Sequence, residues 1–412
     1  MNNKEISLLI KEKEKRNKLK GYEDDFSSFA REQIKIITKD TSIGFIPFKF
    51  NECQERITEA LDKQYKETGR VRAIILKARQ QGISTYCAGR VFWKSYFSPH
   101  SRSVVMAHDS ATSDALFSMS KNLIRNMEGD LVPNEITSNA KEIKINSPAY
   151  KDRDAVGSYR LYTAGSPEAG RGTTPTIAHL SEIAFWTHDE KILAGLFQGI
   201  SQASGTEVIL ESTANGAQGE FYRLWKGAVD GENEYLPIFL PWFITPEYRR
   251  TAPEGMELTI EEETLVDNYE LDVDQLYWRR LKIAEGGKLK FQQEYPATAD
   301  EAFIVSGANV FDIEKLNSLI PRPEQRRSDW DDVALGVGQD YSAAVVMNNK
   351  YEIVAVYRNN RIDPSMWGEL LFYLGRYFNN AFLAVESNSM GIATLQKLEQ
   401  MGYLNLYKQT KM

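Results

Sequence analysis

The sequence has little cysteine: Cys53 and Cys87 are the only two in a chain of 412 residues. Two cysteines cannot form the disulfide framework of a small secreted protein, so we expect a reducing compartment. Long apolar runs are also missing, since the longest, LPIFLPWFI at 236–244, is too short to cross a bilayer. The first 25 residues are too charged for a secretory signal. These absences predict a protein without membrane spans.

An excess of positive charge is missing as well. The chain has 50 lysines and arginines against 57 acids, a formal net charge of −7. That balance argues against a protein that coats nucleic acid tightly, but it leaves room for a local basic groove that contacts DNA transiently. The composition, 42% hydrophobic, 26% charged and 11% aromatic, is typical of a folded protein. The length allows two domains.

Strand-like and helical segments alternate from about residue 71 to residue 225. The strand-like runs read VRAIIL, SRSVVMAH, SYRLYTA, TIAHLS and TEVILES. Their rhythm predicts an α/β fold with a doubly wound, mainly parallel sheet and helices on both faces.

The flanking segments yield further predictions. Helical spacing covers 26–40 and 257–285, whereas 235–249, rich in aromatics and prolines, reads as an irregular crossover. A polar stretch at 321–332 precedes a second α/β unit, with a hairpin around 348–350, a helix at 364–378 and a strand at 381–387. We therefore divide the chain into an arm and helix (1–43), an α/β domain (44–250), a helical linker (251–325) and a partial second α/β domain (326–412).

The stretch AIILKARQQGISTYCAG at 73–89 resembles a phosphate-binding loop. A strand enters a turn, and Gly82 opens a helix that carries Ser84 and Thr85, as in G-x-x-x-x-G-K-[ST]. Ile83, however, stands in the lysine position, and Lys77 stands in the position of the first glycine. The pattern predicts a nucleotide site whose lysine has moved, with a basic strand–turn–helix without ligand as the alternative.

The loop offers two cations for the phosphates. Lys77 at the strand end could fold back over them, and Arg79 is the second candidate. Ser84 is in the position of the hydroxyl that ligates Mg²⁺. The residues predicted to line the nucleotide are Lys77, Arg79, Gln80, Gln81, Gly82, Ile83, Ser84 and Thr85.

Two later strands end in polar residues at the edge where ligands bind in such sheets. TIAHLSEIAFW at 176–186 ends in Ser181 and Glu182. Glu182 is a candidate general base, whereas Ser181 can only bond a metal-bound water or ligate weakly. The next strand runs into STANG, where Ser212, Thr213 and Asn215 either sense the γ-phosphate or simply form a turn.

Together these strings resemble the large terminase subunit of tailed bacteriophages, the motor that packages DNA into procapsids. Family loops often have RQ before the glycine, as in KARQQGIS, and some carry the lysine at the start of the loop. HLSEIAFW and ESTANG…FYRLW resemble the family's Walker B and coupling motifs, and FQQEYPATADEAF at 291–303 is a further family string. Gln54 resembles its adenine-contacting glutamine. The resemblance runs from about residue 26 to the end.

The resemblance implies ATP and Mg²⁺ as cofactors and a P-loop ATPase sheet followed by a ribonuclease-H-like nuclease domain. It implies double-stranded DNA, the portal protein and the small terminase subunit as partners, a homo-oligomeric ring at the portal, and the host cytoplasm as the location. Arg171, in AGSPEAGRGTTP, matches an arginine that completes a neighbouring subunit's site. The alternative is an arginine held by a nearby carboxylate.

For the nuclease, the resemblance assigns metal-binding roles to Asp332, Asp340 and Glu386. A two-metal site needs three or four carboxylates. The residues before Asp332 lack the apolar run of a first strand, and the sequence ends at Met412 before a further acid. We expect an incomplete ribonuclease-H-like domain that binds metal poorly.

Two other functions remain open at this point. A helicase or repair translocase would also use DNA and ATP, but it needs a second ATPase-like lobe whose motifs we do not find. An inactive prophage remnant would retain the fold without turnover, and the short nuclease domain is its best argument.

Overall fold

The computed structural model describes residues 3–38, 42–152, 154–165, 169, 172–304, 342–347, 353–359, 364–378, 380–385 and 391–406. The chain forms two compact units, Met1–Gly307 and Ala308–Met412. Each is described by itself, and the predicted division into four segments remains a prediction.

Helices of the first unit surround one large sheet. They are α1 (Asn3–Asp24), α2 (Phe26–Gln33), α3 (Glu52–Thr68), α4 (Ile83–Phe97), α5 (Ser110–Arg125), α6 (Asp189–Gly199), α7 (Gly219–Val229), α8 (Ile260–Tyr269), α9 (Val273–Gly286), α10 (Lys288–Glu294) and α11 (Ala299–Ile304). Short 3-10 helices cover Gly129–Leu131, Ile183–Phe185 and Trp242–Ile244.

The strands of this unit are β1 (Lys35–Ile37), β2 (Phe45–Pro47), β3 (Val71–Lys77), β4 (Arg102–Ala107), β5 (Asn134–Ser138), β6 (Glu142–Asn146), β7 (Gly157–Thr163), β8 (Ile177–Ser181), β9 (Glu207–Ser212) and β10 (Leu236–Leu240). β1 and β2 form an antiparallel pair. The other eight form one sheet in the order β10-β3-β9-β8-β4-β7-β6-β5.

The sheet is doubly wound, as predicted. The six strands from β10 to β7 pair in parallel, and β7, β6 and β5 pair antiparallel. β3, β8 and β9 are buried along their whole length, as parallel strands covered by helices on both faces are. Alternate β3 residues enter different cores: Ala73 and Ile75 pack with α3, α4 and α5, whereas Ile74 and Leu76 pack with α6 and α7.

Three predictions along this unit were wrong in detail. The helix at 26–40 ends at Gln33 and is followed by β1. The segment at 235–249 is not only a crossover, because 236–240 forms the edge strand β10, where Pro237 is tolerated for lack of an outer neighbour. The helix at 257–285 is two helices, since Glu270 takes a left-handed conformation and Asp272 caps α9.

The second unit contains β11 (Ser342–Met347), β12 (Ile353–Asn359), α12 (Pro364–Tyr377) and α13 (Gly391–Gln400). β11 and β12 pair antiparallel, so the predicted hairpin is confirmed in its strands, and α12 matches the predicted helix. The strand predicted at 381–387 is wrong over 381–385, where the described residues pair only through a single bridge from Leu383 to Leu406, and 386 and 387 lie outside the described residues. Trp367, Leu371 and Leu398 are buried in the core of this unit.

A search of the described residues for a helix long and apolar enough to cross a membrane finds none.

Candidate active site

Three adjacent strands bring the predicted site residues to one edge of the sheet. β3, β9 and β8 are neighbours in that order and run in parallel. Their carboxyl ends therefore meet, with Lys77 ending β3, Ser212 ending β9 and Ser181 ending β8. Such an edge is where open α/β sheets bind their ligands.

The phosphate-loop candidate has the strand–turn–helix form that the sequence predicted. After Lys77 the chain turns through Gln80 and Gly82, both with positive φ (58° and 75°), and α4 begins at Ile83. The conformation at Gly82 favours glycine, and an added Cβ would lie 2.9 Å from Gln54 Nε2. Among the described residues, none caps the start of α4 with its side chain. Its first N–H groups are thus placed as in an anion site.

Ile83 explains why the usual lysine position is apolar. Its side chain is buried in the core beneath α4, with 2% of its surface exposed. A lysine there would have to bring its ammonium out of that core. A cation for this loop must come from another position.

Lys77 lies inside the site. Its Nζ is 2.8 Å from Glu182 Oε1 and 3.3 Å from Glu211 Oε2. Burial alone would lower the pKa of Lys77, but the two carboxylates more than offset this and raise it above its usual value. The ammonium is therefore charged and shared by two acids.

Glu211 is a site residue that the sequence analysis missed. It is fully buried on β9, and its Oε1 lies 3.3 Å from Ser84 Oγ and 3.2 Å from His179 Nε2. Burial would raise its pKa, but Lys77 and then His179 reverse this and hold the pKa below the usual range. Its signal in the sequence was an acid near the carboxyl end of the strand EVILES, between Leu210 and Ser212.

Glu182 is held in an uncommon backbone conformation. Its φ is 54°, in the left-handed region, and its N–H donates to the Glu211 carbonyl at 2.7 Å. Its Oε2 accepts from Ser212 Oγ at 3.3 Å and from the Thr213 N–H at 3.4 Å. Strained non-glycine residues of this kind cluster at functional sites. The strain and these bonds orient the carboxylate toward Lys77.

The loop residues Arg79 and Gln81 form hydrogen bonds with the segment that follows β10. The Arg79 N–H donates to the Glu294 carbonyl, and its guanidinium lies 3.1 Å from the Glu294 carboxylate. Gln81 is buried, and its Nε2 donates to Pro241 O and Thr245 Oγ1. Arg79 therefore faces a carboxylate outside the Lys77 cluster, and Gln81 holds the loop in place.

Gln54 and Asn215 bond with the backbone near the site. Gln54 completes the capping box of α3 with Asn51, and its Nε2 donates to Gly82 O at 2.9 Å. Asn215 Nδ2 donates to Ala184 O at 3.0 Å, which links the loop after β9 to the segment after Glu182. Thr85 lies in the first turn of α4 beside Ser84.

Four predicted residues lie outside the described part of the chain. They are Arg171, Asp332, Asp340 and Glu386. Their roles remain predictions.

The oxygen atoms of the side chains at this edge of the sheet suit a hard cation. Ser84, Glu211 and Ser181 offer oxygen atoms, which Mg²⁺ prefers, and Glu211 Oε2 is buried without a hydrogen-bond partner. Over the described residues, no group of three or more His, Cys, Asp or Glu side chains could hold a metal by itself.

Comparisons with known proteins gave matches among solved structures only; no family model and no curated protein matches the sequence. The large terminase ATPase domain of Thermus phage P74-26 is 17% identical, with a TM-score of 0.43 over 61% of this chain and 94% of that one. The HK97 bacteriophage large terminase is 13% identical, with a TM-score of 0.45 over 93% of this chain and 84% of that one. The Phi-28 DNA packaging motor is 10% identical, with a TM-score of 0.32 over 85% and 98%. These three solved structures are phage DNA-packaging proteins.

Proposed function

We propose that the first unit is an ATPase and that ATP binds at the carboxyl edge of β3, β9 and β8. One observation carries this proposal: Lys77 and Ser84 of the loop come together with Glu182, which is distant in sequence, around Glu211 at the start of α4. The combination of a cation, a hydroxyl and a carboxylate beside an uncapped helix start is what phosphoryl transfer to water requires.

In this proposal Lys77 neutralises the phosphates in place of a lysine at position 83. Its side chain leaves the end of β3 seven positions before Ser84, yet both side chains contact Glu211. The first N–H groups of α4 bind phosphate oxygens, and Gly82 lets the backbone approach them closely. Gln54 and Gln81 keep this loop in shape through their bonds to Gly82 and to the chain after β10.

Glu182 is the proposed general base. Its carboxylate is 21% exposed, so water can reach it, and bonds from Ser212, which ends β9, and from Thr213 fix one of its oxygens. When Lys77 turns to the phosphates, Glu182 Oε1 loses its partner and becomes free to take a proton from water. Ser84 would be a ligand of Mg²⁺, which would neutralise charge on the transferring phosphoryl group.

We further propose that hydrolysis drives packaging of double-stranded DNA into a phage procapsid. The strings HLSEIAFW and ESTANG…FYRLW, which resemble the family's Walker B and coupling motifs, support this choice. The partners would be the portal protein and the small terminase subunit. Copies of this chain would form a ring in the host cytoplasm, in which Arg171 completes the site of a neighbouring subunit. The second unit would be an incomplete nuclease with Asp332, Asp340 and Glu386 as its metal-binding acids.

The test is a DNA-stimulated ATPase assay on the full chain and on Glu182→Gln. We expect the variant to bind ATP but to hydrolyse it about 10²- to 10⁴-fold more slowly, because it lacks the base. Glu135→Gln, an exposed acid on β5, is the matched control and should hydrolyse ATP normally. Absence of ATP binding by the wild type would contradict the proposal and favour the inactive remnant. ATPase activity without stimulation by DNA would contradict the packaging role alone.

A further inference from the structure

We propose that Glu211 supplies the carboxylate of the magnesium site that the sequence lacks at position 181. The inference rests on the proposed ATPase function and names the acid that this site would use. A nucleoside triphosphatase needs an acid near the loop hydroxyl to hold Mg²⁺ or one of its waters. Ser181, at the expected position on β8, offers only a hydroxyl.

The sheet places Glu211 level with that position. Ser181 and Glu211 are direct partners in the parallel pairing of β8 and β9. Because β9 lies between β8 and β3, the acid is one strand nearer to the phosphate-loop candidate than a residue of β8 would be. A carboxylate on β9 can therefore reach the loop hydroxyl from the adjacent strand.

The contacts of Glu211 are those expected of a metal-shell acid. Its Oε1 is 3.3 Å from Ser84 Oγ, the hydroxyl in the position that ligates Mg²⁺. Its Oε2 is buried and accepts no hydrogen bond, although Lys77 Nζ lies 3.3 Å away. This oxygen is paired with the Lys77 ammonium alone, so it is a place where a cation or its water would be stabilised once Lys77 moves away.

Glu211 would pair with Lys77 when no nucleotide is bound and with the metal when nucleotide is bound. Without nucleotide, Lys77 compensates the charge of Glu211. Once Lys77 turns to the phosphates, Glu211 would be an uncompensated charge in the interior, which proteins avoid. A divalent cation bound with the nucleotide removes this conflict. The structure thus couples the movement of Lys77 to metal binding.

His179 acts as a positioning residue for the same carboxylate. It is fully buried on β8, and its Nε2 lies 3.2 Å from Glu211 Oε1. Because an ionised carboxylate only accepts hydrogen bonds, Nε2 must carry the proton and donate. This hydrogen bond holds Oε1 in place and leaves Oε2 available to the cation. In other metalloproteins, hydrogen bonds from residues outside the coordination sphere orient the metal ligands in the same way.

The experiment measures Mn²⁺, as a paramagnetic substitute for Mg²⁺, bound to the full chain with saturating ADP, by electron paramagnetic resonance. We expect Glu211→Gln to weaken Mn²⁺ binding about 10- to 100-fold, whereas ADP affinity in EDTA changes less than about threefold. Glu211→Asp keeps the charge and should recover part of the Mn²⁺ affinity. Glu207→Gln, a buried acid on the same strand, is the matched control and should leave it unchanged.

Failure of this inference can be told apart from failure of the proposed function. If the wild type binds ADP and Mn²⁺ and Glu211→Gln binds Mn²⁺ equally well, Glu211 is not a metal-shell acid and the ATPase proposal is untouched. If the wild type binds no ADP with or without Mn²⁺, both proposals are wrong. If Glu211→Gln fails to fold, Glu211→Asp is measured in its place. A Mn²⁺ affinity between those of the wild type and Ser84→Ala supports the inference. A Mn²⁺ affinity equal to that of the wild type contradicts it.

Discussion

Strand β9 carries two buried glutamates, one at each end, whose surroundings differ. Glu207 begins the strand and Glu211 lies four residues later, so their side chains leave the same face, toward α4. Both are at most 1% exposed, and both have pKa values below the usual range. They differ in how completely their oxygens are bonded.

Glu207 is fully paired. Arg90 of α4 holds it with two bonds, Nε to Oε2 at 2.8 Å and Nη2 to Oε1 at 3.2 Å, and Lys94 Nζ adds a contact of 3.0 Å. Arg90 also reaches Asp62 of α3 and packs its guanidinium over the Trp93 ring. Such a network is satisfied without any ligand.

Glu211 has one cation (Lys77), two hydroxyls (Ser84 and Ser181) and one imidazole (His179) around it, and its Oε2 has the ion pair with Lys77 but no hydrogen bond. The difference teaches that burial and a shifted pKa do not by themselves distinguish a structural ion pair from a functional one. The unsatisfied oxygen, at the edge where ligands enter, is the feature that distinguishes Glu211 from Glu207. The following predictions test that contrast.

The largest effect is expected for Arg90→Leu. Removal of one partner leaves Glu207 charged and buried, so the free energy of unfolding should fall by about 3–5 kcal/mol. Urea unfolding followed by circular dichroism measures it. Arg160→Leu, which removes an exposed guanidinium paired with Glu142, is the control and should cost less than about 1 kcal/mol. Equal losses in the two variants would show that the Glu207 network is not structural.

Lys77→Ala should act mainly on turnover. If this lysine neutralises the phosphates, ATP hydrolysis should fall by about 10²-fold or more, as when one donor to a transition state is lost. The ATPase assay needs a parallel unfolding measurement, since Glu211 and Glu182 lose their shared cation. Arg79→Ala is the comparison, and a greater loss of hydrolysis in Arg79→Ala would identify Arg79 as the loop's cation.

Acid stability should depend on both glutamates. A carboxylate with a lowered folded-state pKa adds stability above its unfolded pKa, about 4.3, and loses it as pH falls through the folded pKa. The free energy of unfolding of the wild type should therefore decrease below pH of about 4. Glu207→Gln and Glu211→Gln should each flatten this slope, by up to about 1.4 kcal/mol per pH unit. A variant with the wild-type slope would show that its glutamate is not ionised in the folded protein.

The smallest effect is expected for Arg79→Ala on stability. The guanidinium is 57% exposed and pairs with Glu294 at the surface, where an ion pair contributes about 0.2–1 kcal/mol. Its backbone N–H bond to Glu294 O survives the substitution. Thermal unfolding would show a small change, and a loss as large as that of Arg90→Leu would mean that this pair is essential to the loop.

Much of the fold could be predicted from the sequence because it follows local patterns. The apolar runs gave β3, β4, β7, β8 and β9, and the turn at Gly82 was visible as a break before a helix. The wrong predictions have local causes too. β10 is an edge strand whose partner β3 lies far away in sequence, and β1 has only three residues, too few to show a strand pattern. The break before Asp272 depends on a left-handed residue at Glu270, which helical periodicity does not reveal.

The sequence by itself determined the parallel strands β3, β4, β7, β8 and β9, the displaced lysine and the acid after β8, since periodicity and residue type are properties of neighbouring positions. Only the tertiary structure decided which charges meet. Glu211 became a site residue, and Arg79 acquired Glu294 as its partner, because β9 lies between β3 and β8 and α10 lies against the loop. Pairing between distant strands sets these distances, and no local pattern encodes it.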